Sequence, residues 1–461
     1  MKKKILISKQ DYEKLKEHLF QSHGGEEAAF LICGTAETPD SINFLIREIV
    51  PVPKNGFRHK GQAGLIIDPD FIMPLLKRCK YENLSIILAH SHPFSDAHVD
   101  FSFIDDDGEN ILMPKIQERI PDRHHGTLVM GVNSINARFW RKNTKQSEDI
   151  DSIRIVGRPI KEINIIKENI PGTINSKEIY NRQILALGEY GQKIIQNSYV
   201  GIVGLGGIGS HVFQQIIHLG VSKVLVIDPD TVEESNLSRL IGSKSDDALD
   251  KKLKVSVMER FANEIRPDTR VIAEKGTIYD ISIAQKLLDT DIIFCCTDNL
   301  TSRMILNRIS YQYFIPVIDT GVDIQCTSIG NIRSAAGRIT VLLPDEPCLG
   351  CIGILEPERL AKEADELLLG KEPRNEYISG ISTFAPAVVS LNGVVASLAV
   401  TEFIDLLTGL EKQRDPKMYQ MYRVLGGDVR LYSKENLTGD KICLDVKGMG
   451  DGLDLPCRLN R

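Results

Sequence analysis

Two histidines one residue apart, His90 and His92, stand at the end of the apolar run LSIILAH. In HSHPFSDAHVDFSFIDDD they are followed by Ser102 and three consecutive aspartates, Asp105, Asp106 and Asp107. On a strand, side chains two apart point to the same face, so both imidazoles are offered to one ligand. Imidazole nitrogen with carboxylate oxygen is a frequent zinc donor set, and a zinc held by three side chains keeps its fourth position for water. His90, His92 and Asp105 are therefore the expected metal ligands, with Asp106 and Asp107 as alternatives for the third position. Zinc-acidified water beside a carboxylate base is the chemistry of hydrolysis.

A second chemistry follows in the same chain. VGIVGLGGIGSHVFQQII reads as strand, glycine turn and helix, so Gly204, Gly206, Gly207 and Gly209 bring backbone N–H groups to a phosphate at a helix N-terminus. Asp228 ends the next strand, VLVIDPD, where a ribose-binding acid belongs. To this point NAD and ATP fit equally. Asn236 and Arg239 in VEESNLSRL, Lys254 in KLKVS, Asp298 in CCTDNLTSR and Arg182 in YNRQ favour ATP. Hydride transfer has no need of so many cations near the phosphates. Attack of a carboxylate on an α-phosphate does, because charge develops on pyrophosphate, where Arg, Lys and a Mg²⁺ held by Asp stabilise it.

Glu27 in EAAFLICG, His90 and His92 in HSHP, and Ser102 and Asp105 in SFID together resemble the motif of the JAMM (MPN or Mov34) metalloproteases. That motif is an upstream glutamate, then HxHP, then a serine three residues before an aspartate. Nine residues separate His92 from Ser102 here, where the commonest form has seven. The resemblance implies a catalytic zinc on His90, His92 and Asp105, proton transfer by Glu27, and a Ser102 hydroxyl bonded to the developing oxyanion. Glu27 lies seven residues before Gly34, as the family's glutamate does before its glycine, and Glu26 is the competing base.

The order YNRQ, GLGGIG, IDPDTVEESNLSR, Lys254 and TDN resembles the ThiF/MoeB-type adenylyltransferases, bacterial relatives of ubiquitin-activating enzymes, from about residue 179 to about 412. This likeness implies that Asp228 holds the ribose, that Asn236, Arg239 and Lys254 hold the phosphates, and that Asp298 holds Mg²⁺. It also implies that Arg182 reaches the site of a neighbouring subunit, hence a homodimer.

The cysteines fit this likeness unevenly. Cys348 and Cys351 in PCLGC have structural-zinc spacing, which the family pairs with a second CxxC. Here Cys443 has Val446 where its partner would stand, leaving Cys457 as the alternative fourth ligand. Residues 352–386, the crossover segment in which thioester-forming relatives carry a cysteine, contain none. Cys326 is the nearby alternative nucleophile, and a buried structural thiol is the plainer reading of it. His98 reads as a solvated loop residue, and His124 and His125 in RHHG as a turn.

These groups need two scaffolds. Residues 1–150, with short apolar runs and two helical patterns, DYEKLKEHLF and FIMPLLKRCKY, are expected to form a small mixed α/β metalloprotease domain. Charges and turn residues in 151–178 mark a linker. Residues 179–461 alternate strand and helix, as in a Rossmann-like doubly wound parallel sheet, with the nucleotide at the carboxyl ends of the strands.

A 461-residue chain with 42% hydrophobic and 26% charged residues is expected to fold as more than one domain rather than remain disordered. A net charge of -6 argues against a partner bound mainly through a phosphate backbone. The apolar run after MKKK is too short for a signal-peptide core, and TFAPAVVSLNGVVASLAV, broken by Pro386 and Asn392, reads as a buried helix. A cytoplasmic protein with reduced thiols and no membrane span is expected.

Both chemistries serve one purpose if both act on one C-terminal tail. The expected function is a bifunctional enzyme of a ubiquitin-like modification system, with a zinc peptidase or isopeptidase and an ATP-dependent adenylating domain. Its partners would be a ubiquitin-like or peptide tail and a conjugating enzyme. The alternatives are a sulfur-carrier or peptide-modifying adenylyltransferase without conjugation, and a scaffold with an inactive metal site.

Overall fold

In the computed structural model of the chain the described residues are 1–21, 25–61, 64–144, 146–165, 178–327, 331–368, 386–410, 419–432 and 442–457. They divide into two units. One comprises Met1–Pro171, Gln312–Phe314 and Val446–Asp454, and the other comprises Gly172–Tyr311, Ile315–Asp445 and Leu455–Arg461.

The first unit is built on a mixed nine-stranded sheet. From edge to edge the order is Lys161–Asn164, Ser152–Val156, Lys2–Ser8, Ser41–Pro51, Ala28–Glu37, Ser85–Ser91, His125–Met130, Ile135–Trp140 and Ser147–Asp149. The central strand Ala28–Glu37 reads as an unbroken apolar run because both of its faces are covered. Ala29, Leu31 and Cys33 pack in one core with Leu15 and Leu19 of the helix Lys9–Leu19. Ala28, Phe30 and Ile32 pack in another with Ile72 and Leu76 of the helix Pro69–Glu82 and with Met113 and Ile116 of the helix Phe103–Arg119.

Three boundaries differ from the expectation. The stretch read as a linker contains Ser152–Val156, which pairs in parallel with Lys2–Ser8, and Lys161–Asn164, which pairs with it in turn. Ile153 and Ile155 are buried there, so this stretch completes the first sheet. RHHG is no turn, because His125 opens a strand and both histidines are buried. Finally, residues 446–454 belong to the first unit. Gly34 N–H donates to Gly448 O at 3.0 Å and Asp451 N–H to Thr35 O at 2.7 Å. The approach is so close that a Cβ on Gly450 would lie 2.2 Å from Thr35 O.

The second unit contains an eight-stranded sheet in the order Arg270–Lys275, Lys223–Asp228, Tyr199–Val203, Ile292–Cys295, Val317–Cys326, Ile332–Leu342, Tyr419–Arg423 and Asp428–Tyr432. The first five strands are parallel and the last three extend the sheet antiparallel. From Tyr199–Val203 the chain builds first to one side and then, at Ile292–Cys295, to the other. That reversal opens a crevice at the carboxyl ends of these two strands, where open α/β sheets bind ligands. The helix Val389–Thr408 has the length and hydropathy of a membrane span. It packs on the helix Gly207–Leu219 and on the sheet, burying Val395, Ala399, Phe403 and Leu406 together with Glu402 and Asp405.

Candidate metal centres and nucleotide site

The strand Ser85–Ser91 lies between Ala28–Glu37 and His125–Met130, and His90 at its end is 7% exposed. Asp105 arrives from the first turn of the helix Phe103–Arg119, which begins where it does because of a reciprocal cap. Ser102 Oγ accepts the Asp105 N–H at 3.2 Å, and Asp105 Oδ2 accepts the Ser102 N–H at 2.6 Å. The cap and the register bring three donors together. His90 Nε2 is 3.1 Å from Asp105 Oδ1, His92 Nε2 is 3.2 Å from Asp105 Oδ2, and the two Nε2 atoms are 3.3 Å apart. Ligands about 2.0–2.1 Å from one tetrahedral ion are roughly 3.3 Å from each other, so the set fits zinc. Asp106 is committed elsewhere, to Arg138 at 2.5 Å, and Asp107 is exposed, so Asp105 is the aspartate of the three that stands beside both histidines.

Burial opposes ionisation of Asp105, but hydrogen bonds from His90 and His92 outweigh it and hold the carboxyl well below the usual range. The hydrogen bond to Asp105 raises His92. His98 is exposed and bonds Asp100 at 2.7 Å, as its loop position suggested.

The glutamate that faces the histidines is Glu26, not the Glu27 picked out by the spacing to Gly34. Ala28 pairs with His90 across antiparallel strands, so continuing the register puts Glu26 opposite His92 and on the same face, while Glu27 falls opposite Ser91 on the other face. Glu26 Oε1 lies 3.8 Å from His92 Nε2, and burial raises its pKa. Glu27 exchanges backbone and hydroxyl hydrogen bonds with Ser91, and its buried carboxylate takes the Lys60 ammonium. Spacing along the chain carries no signal for this, because it depends on the cross-strand register. Ser102 is exposed, and since its oxygen accepts the Asp105 N–H its own proton remains available to a substrate oxygen.

At the crevice of the second unit, Gly204 has φ +90, and a Cβ there would meet Cys296 O at 2.7 Å. Gly209 is packed so tightly on the loop that a Cβ would lie 1.9 Å from Gly204 O. Gly206 caps the helix Gly207–Leu219 without a side chain, and the space beside its Cα is open, which leaves the helix N-terminus ready for phosphate. Asp228, 4% exposed, closes the loop by accepting Leu205 N–H at 2.6 Å, and burial raises its pKa. Lys254 lies 3.9 Å from Asp228 and pairs with Asp230 at 2.6 Å.

Arg239 donates to Ser235 O at 2.7 Å, and its Cδ lies 3.6 Å from where a Gly207 Cβ would be, so its chain flanks the loop. Asn236 Oδ1 accepts the Glu233 N–H at 3.3 Å. Asp298 is exposed just beyond the strand Ile292–Cys295, and Arg182 is exposed in the helix Asn181–Asn197. The sequence reading missed Asn392, which is 4% exposed and has its Nδ2 2.1 Å from the position a Gly207 Cβ would take. It also missed the buried Arg303–Asp319–Arg338 cluster, with ion pairs of 2.5 and 2.7 Å.

Cys348, Cys351 and Cys443 are buried together, with Sγ separations of 3.6 Å for Cys348–Cys351 and 3.8 Å for Cys351–Cys443. Sulfurs at about 2.3 Å from a tetrahedral zinc are roughly 3.8 Å apart. Hydrogen bonding from the Cys443 thiol lowers Cys348 to about 5. Cys457 does not complete the set, because its thiol donates to Ile278 O at 3.3 Å. Cys326, read as a buried structural thiol, is exposed at the end of its strand.

Against known proteins, the profile of the ThiF family matches residues 180–436. The SAMP-activating enzyme E1 of Haloferax volcanii is 29% identical over 181 residues, 39% of this chain and 63% of that protein, so the match spans less than two thirds of it. The molybdopterin-synthase adenylyltransferase of Escherichia coli is 28% identical over 268 residues, 57% of this chain and 95% of the relative. The sulfur carrier protein ThiS adenylyltransferase of Escherichia coli is 28% identical over 234 residues, 50% of this chain and 82% of the relative.

Proposed function

The chain belongs to the ThiF family, its second unit being a ThiF/MoeB-type adenylyltransferase domain, and from that premise we propose a two-site enzyme acting on protein C-termini. The second unit adenylates the terminal carboxylate of a ubiquitin-like or sulfur-carrier protein with Mg·ATP, and the first is a zinc peptidase of the JAMM/MPN type. The adenylating half rests on the sheet-reversal crevice, where Gly206, Asp228, Lys254, Arg239 and Asp298 belong to one loop cluster. The peptidase half rests on the three donor atoms spaced for one tetrahedral ion.

In the crevice, Asp228 holds the ribose, and the amides at the start of Gly207–Leu219, with Asn236, Arg239 and Lys254, hold the phosphates. Asp298 holds Mg²⁺. Lys254 must leave Asp230 to reach a phosphate, so the Lys254–Asp230 pair breaks as nucleotide enters. The substrate carboxylate attacks the α-phosphate and pyrophosphate departs against this positive field. Arg182 completes the site of a second copy, which makes the working form a homodimer.

In the first unit His90, His92 and Asp105 would hold zinc, which supplies Lewis acidity and lowers the pKa of water toward about 7. Glu26 takes the proton of the attacking water and gives it to the leaving amine. Ser102 donates its hydroxyl to the carbonyl oxygen as charge builds. Cys348, Cys351 and Cys443 hold a second, structural zinc.

Conjugation through a conjugating enzyme is one fate of the adenylate. The absence of any cysteine in 352–386 favours a second reading, in which the adenylate receives sulfide or an amine directly. Pyrophosphate exchange into ATP by the wild type and Asp298→Ala, with ubiquitin-like proteins ending in free Gly or carrying extra residues, tests the proposal. Exchange that depends on a protein carboxylate and on Asp298 supports it; exchange with neither dependence refutes it. If extended tails work only while Glu26 is intact, trimming precedes activation.

A further inference from the structure

Asp298 sits between the strand Ile292–Cys295 and the helix Leu300–Tyr313, so whatever fixes the start of that helix fixes the loop that presents it. The first amides of a helix have no partner within it. Here Asn299 satisfies one, accepting Ser302 N–H at 2.8 Å through Oδ1. The two before it are taken by a residue more than sixty positions on. Leu300 N–H donates to Glu363 Oε2 at 2.9 Å and Thr301 N–H to Glu363 Oε1 at 2.7 Å. Glu363 belongs to the helix Pro357–Leu368, in the crossover segment.

The loop around Asp298 thus has three pins. Arg303 donates to Thr297 O at 2.8 Å on one side, and the Tyr279 hydroxyl donates to Asn299 Oδ1 at 2.7 Å on the other. Arg303 and Tyr279 are buried and belong to the core, whereas Glu363 is half-buried and its described neighbours Glu358, Arg359, Ala361 and Lys362 are exposed. It is the pin that can open. Its charge also reaches this loop: burial pushes the Tyr279 hydroxyl up to about 12, and the carboxylates of Glu363 and Asp298 both add to that rise.

We propose that Glu363 is a positioning residue for Asp298, coupling the crossover helix Pro357–Leu368 to Mg²⁺ binding in the nucleotide site. The proposal rests on the adenylation reading. With the helix docked, Glu363 orders the amides beside Asp298 and adds negative potential where the cation binds. Undocked, the first turn loses two of its caps. Because coupling is reciprocal, Mg·ATP in turn holds the crossover helix down, so the segment that follows the nucleotide chemistry is ordered when the cation is in place.

The full chain and its Glu363→Ala and Glu363→Gln variants are compared by titrating Mg²⁺ into ATP-bound protein calorimetrically, and by trypsin cleavage after Arg359 and Lys362 with and without Mg·ATP. Loss of a helix cap predicts an apparent Mg²⁺ affinity about 2- to 30-fold weaker in Glu363→Ala. Glu363→Gln, which keeps one acceptor oxygen, should fall between. Mg·ATP should slow cleavage of the wild type and not of Glu363→Ala. Glu358→Ala, in the first turn of the same helix, should behave as wild type. Wild-type Mg²⁺ midpoints in both folded Glu363 variants overturn this proposal alone, even if their melting temperature falls. Wild-type protein that binds no Mg·ATP overturns the adenylation reading with it.

Discussion

Replacing Glu26 by Gln and replacing Glu27 by Gln change neighbouring residues of the same type, yet the strand register sends their consequences in opposite directions. Glu26 faces His92 at 3.8 Å and, among the described residues, has no ion pair beyond the triad. Glu26→Gln should keep zinc bound and the fold intact while removing the proton carrier, lowering peptidase turnover by about 10²- to 10⁴-fold. Glu27 is 5% exposed at the side chain and paired with Lys60, itself 27% exposed. Breaking such a pair costs less than the roughly 3–5 kcal/mol of a fully buried one and more than the roughly 0–1 kcal/mol of a surface pair.

Glutamine retains an acceptor for Lys60, so about 1–3 kcal/mol is expected for Glu27→Gln. That corresponds to a first-unit melting transition lower by about 2–12 °C. The assay pairs cleavage of a C-terminally extended ubiquitin-like protein with calorimetric melting and zinc content of the full chain. A Glu27→Gln variant that melts like wild type but cannot cleave, beside an active Glu26→Gln variant, would refute the register argument and restore the assignment by spacing.

Three other outcomes follow from the packing. Cys443→Ser should reduce bound zinc from two equivalents per chain to about one and make the second unit melt earlier, as loss of a structural site does; unchanged zinc content contradicts the thiol cluster as a metal site. Gly34→Ala places a Cβ 2.3 Å from Gly448 O, so residues 446–454 must shift, and a urea midpoint reporting about 1–3 kcal/mol of destabilisation is expected; a neutral result would mean that this segment does not hold to the strand Ala28–Glu37. Hydrogen bonding from Arg260 holds Asp247 at about 2, below the 3.8 of a free carboxyl. Its folded-state pKa is depressed, so its stabilisation is full above about pH 4 and fades as the pH falls toward 2. The stability gap between wild type and Asp247→Asn, about 1–2 kcal/mol near neutrality with Arg260 partly solvated, should therefore close over that window; a gap that stays constant in urea titrations across it removes the ion pair as its cause.

Much of both sites was legible because the relevant physics is local. The histidine pair lies on one strand face by period two, Ser102 and Asp105 cap one helix turn within four residues, and the glycine loop, Asp228 and Asp298 each end a strand that alternates with helices. The expected doubly wound sheet follows from the same short-range periodicities. The apolar run near residue 390 read as a buried helix, and the helix Val389–Thr408 does bury Asn392, Val395, Ala396, Ala399 and Val400, while Val388, Val389 and Val394 are exposed.

What the chain could not disclose by local pattern is which distant segments meet. That Glu26 rather than Glu27 faces His92 is known only once Ala28 is seen to pair with His90, since a one-residue slip in register exchanges the faces. Ser152–Val156 became a strand because Lys2–Ser8 offered it an edge. Residues 446–454 return to a strand some four hundred positions earlier, and Glu363 caps a helix more than sixty positions before it. Cys457 lies by Ile278 instead of the thiol cluster. Chain spacing sets the identity and local geometry of the reactive groups. Tertiary packing decides their partners, because contacts closed across long loops carry no periodic trace in the sequence and are chosen by which buried surfaces and unsatisfied backbone groups fit together.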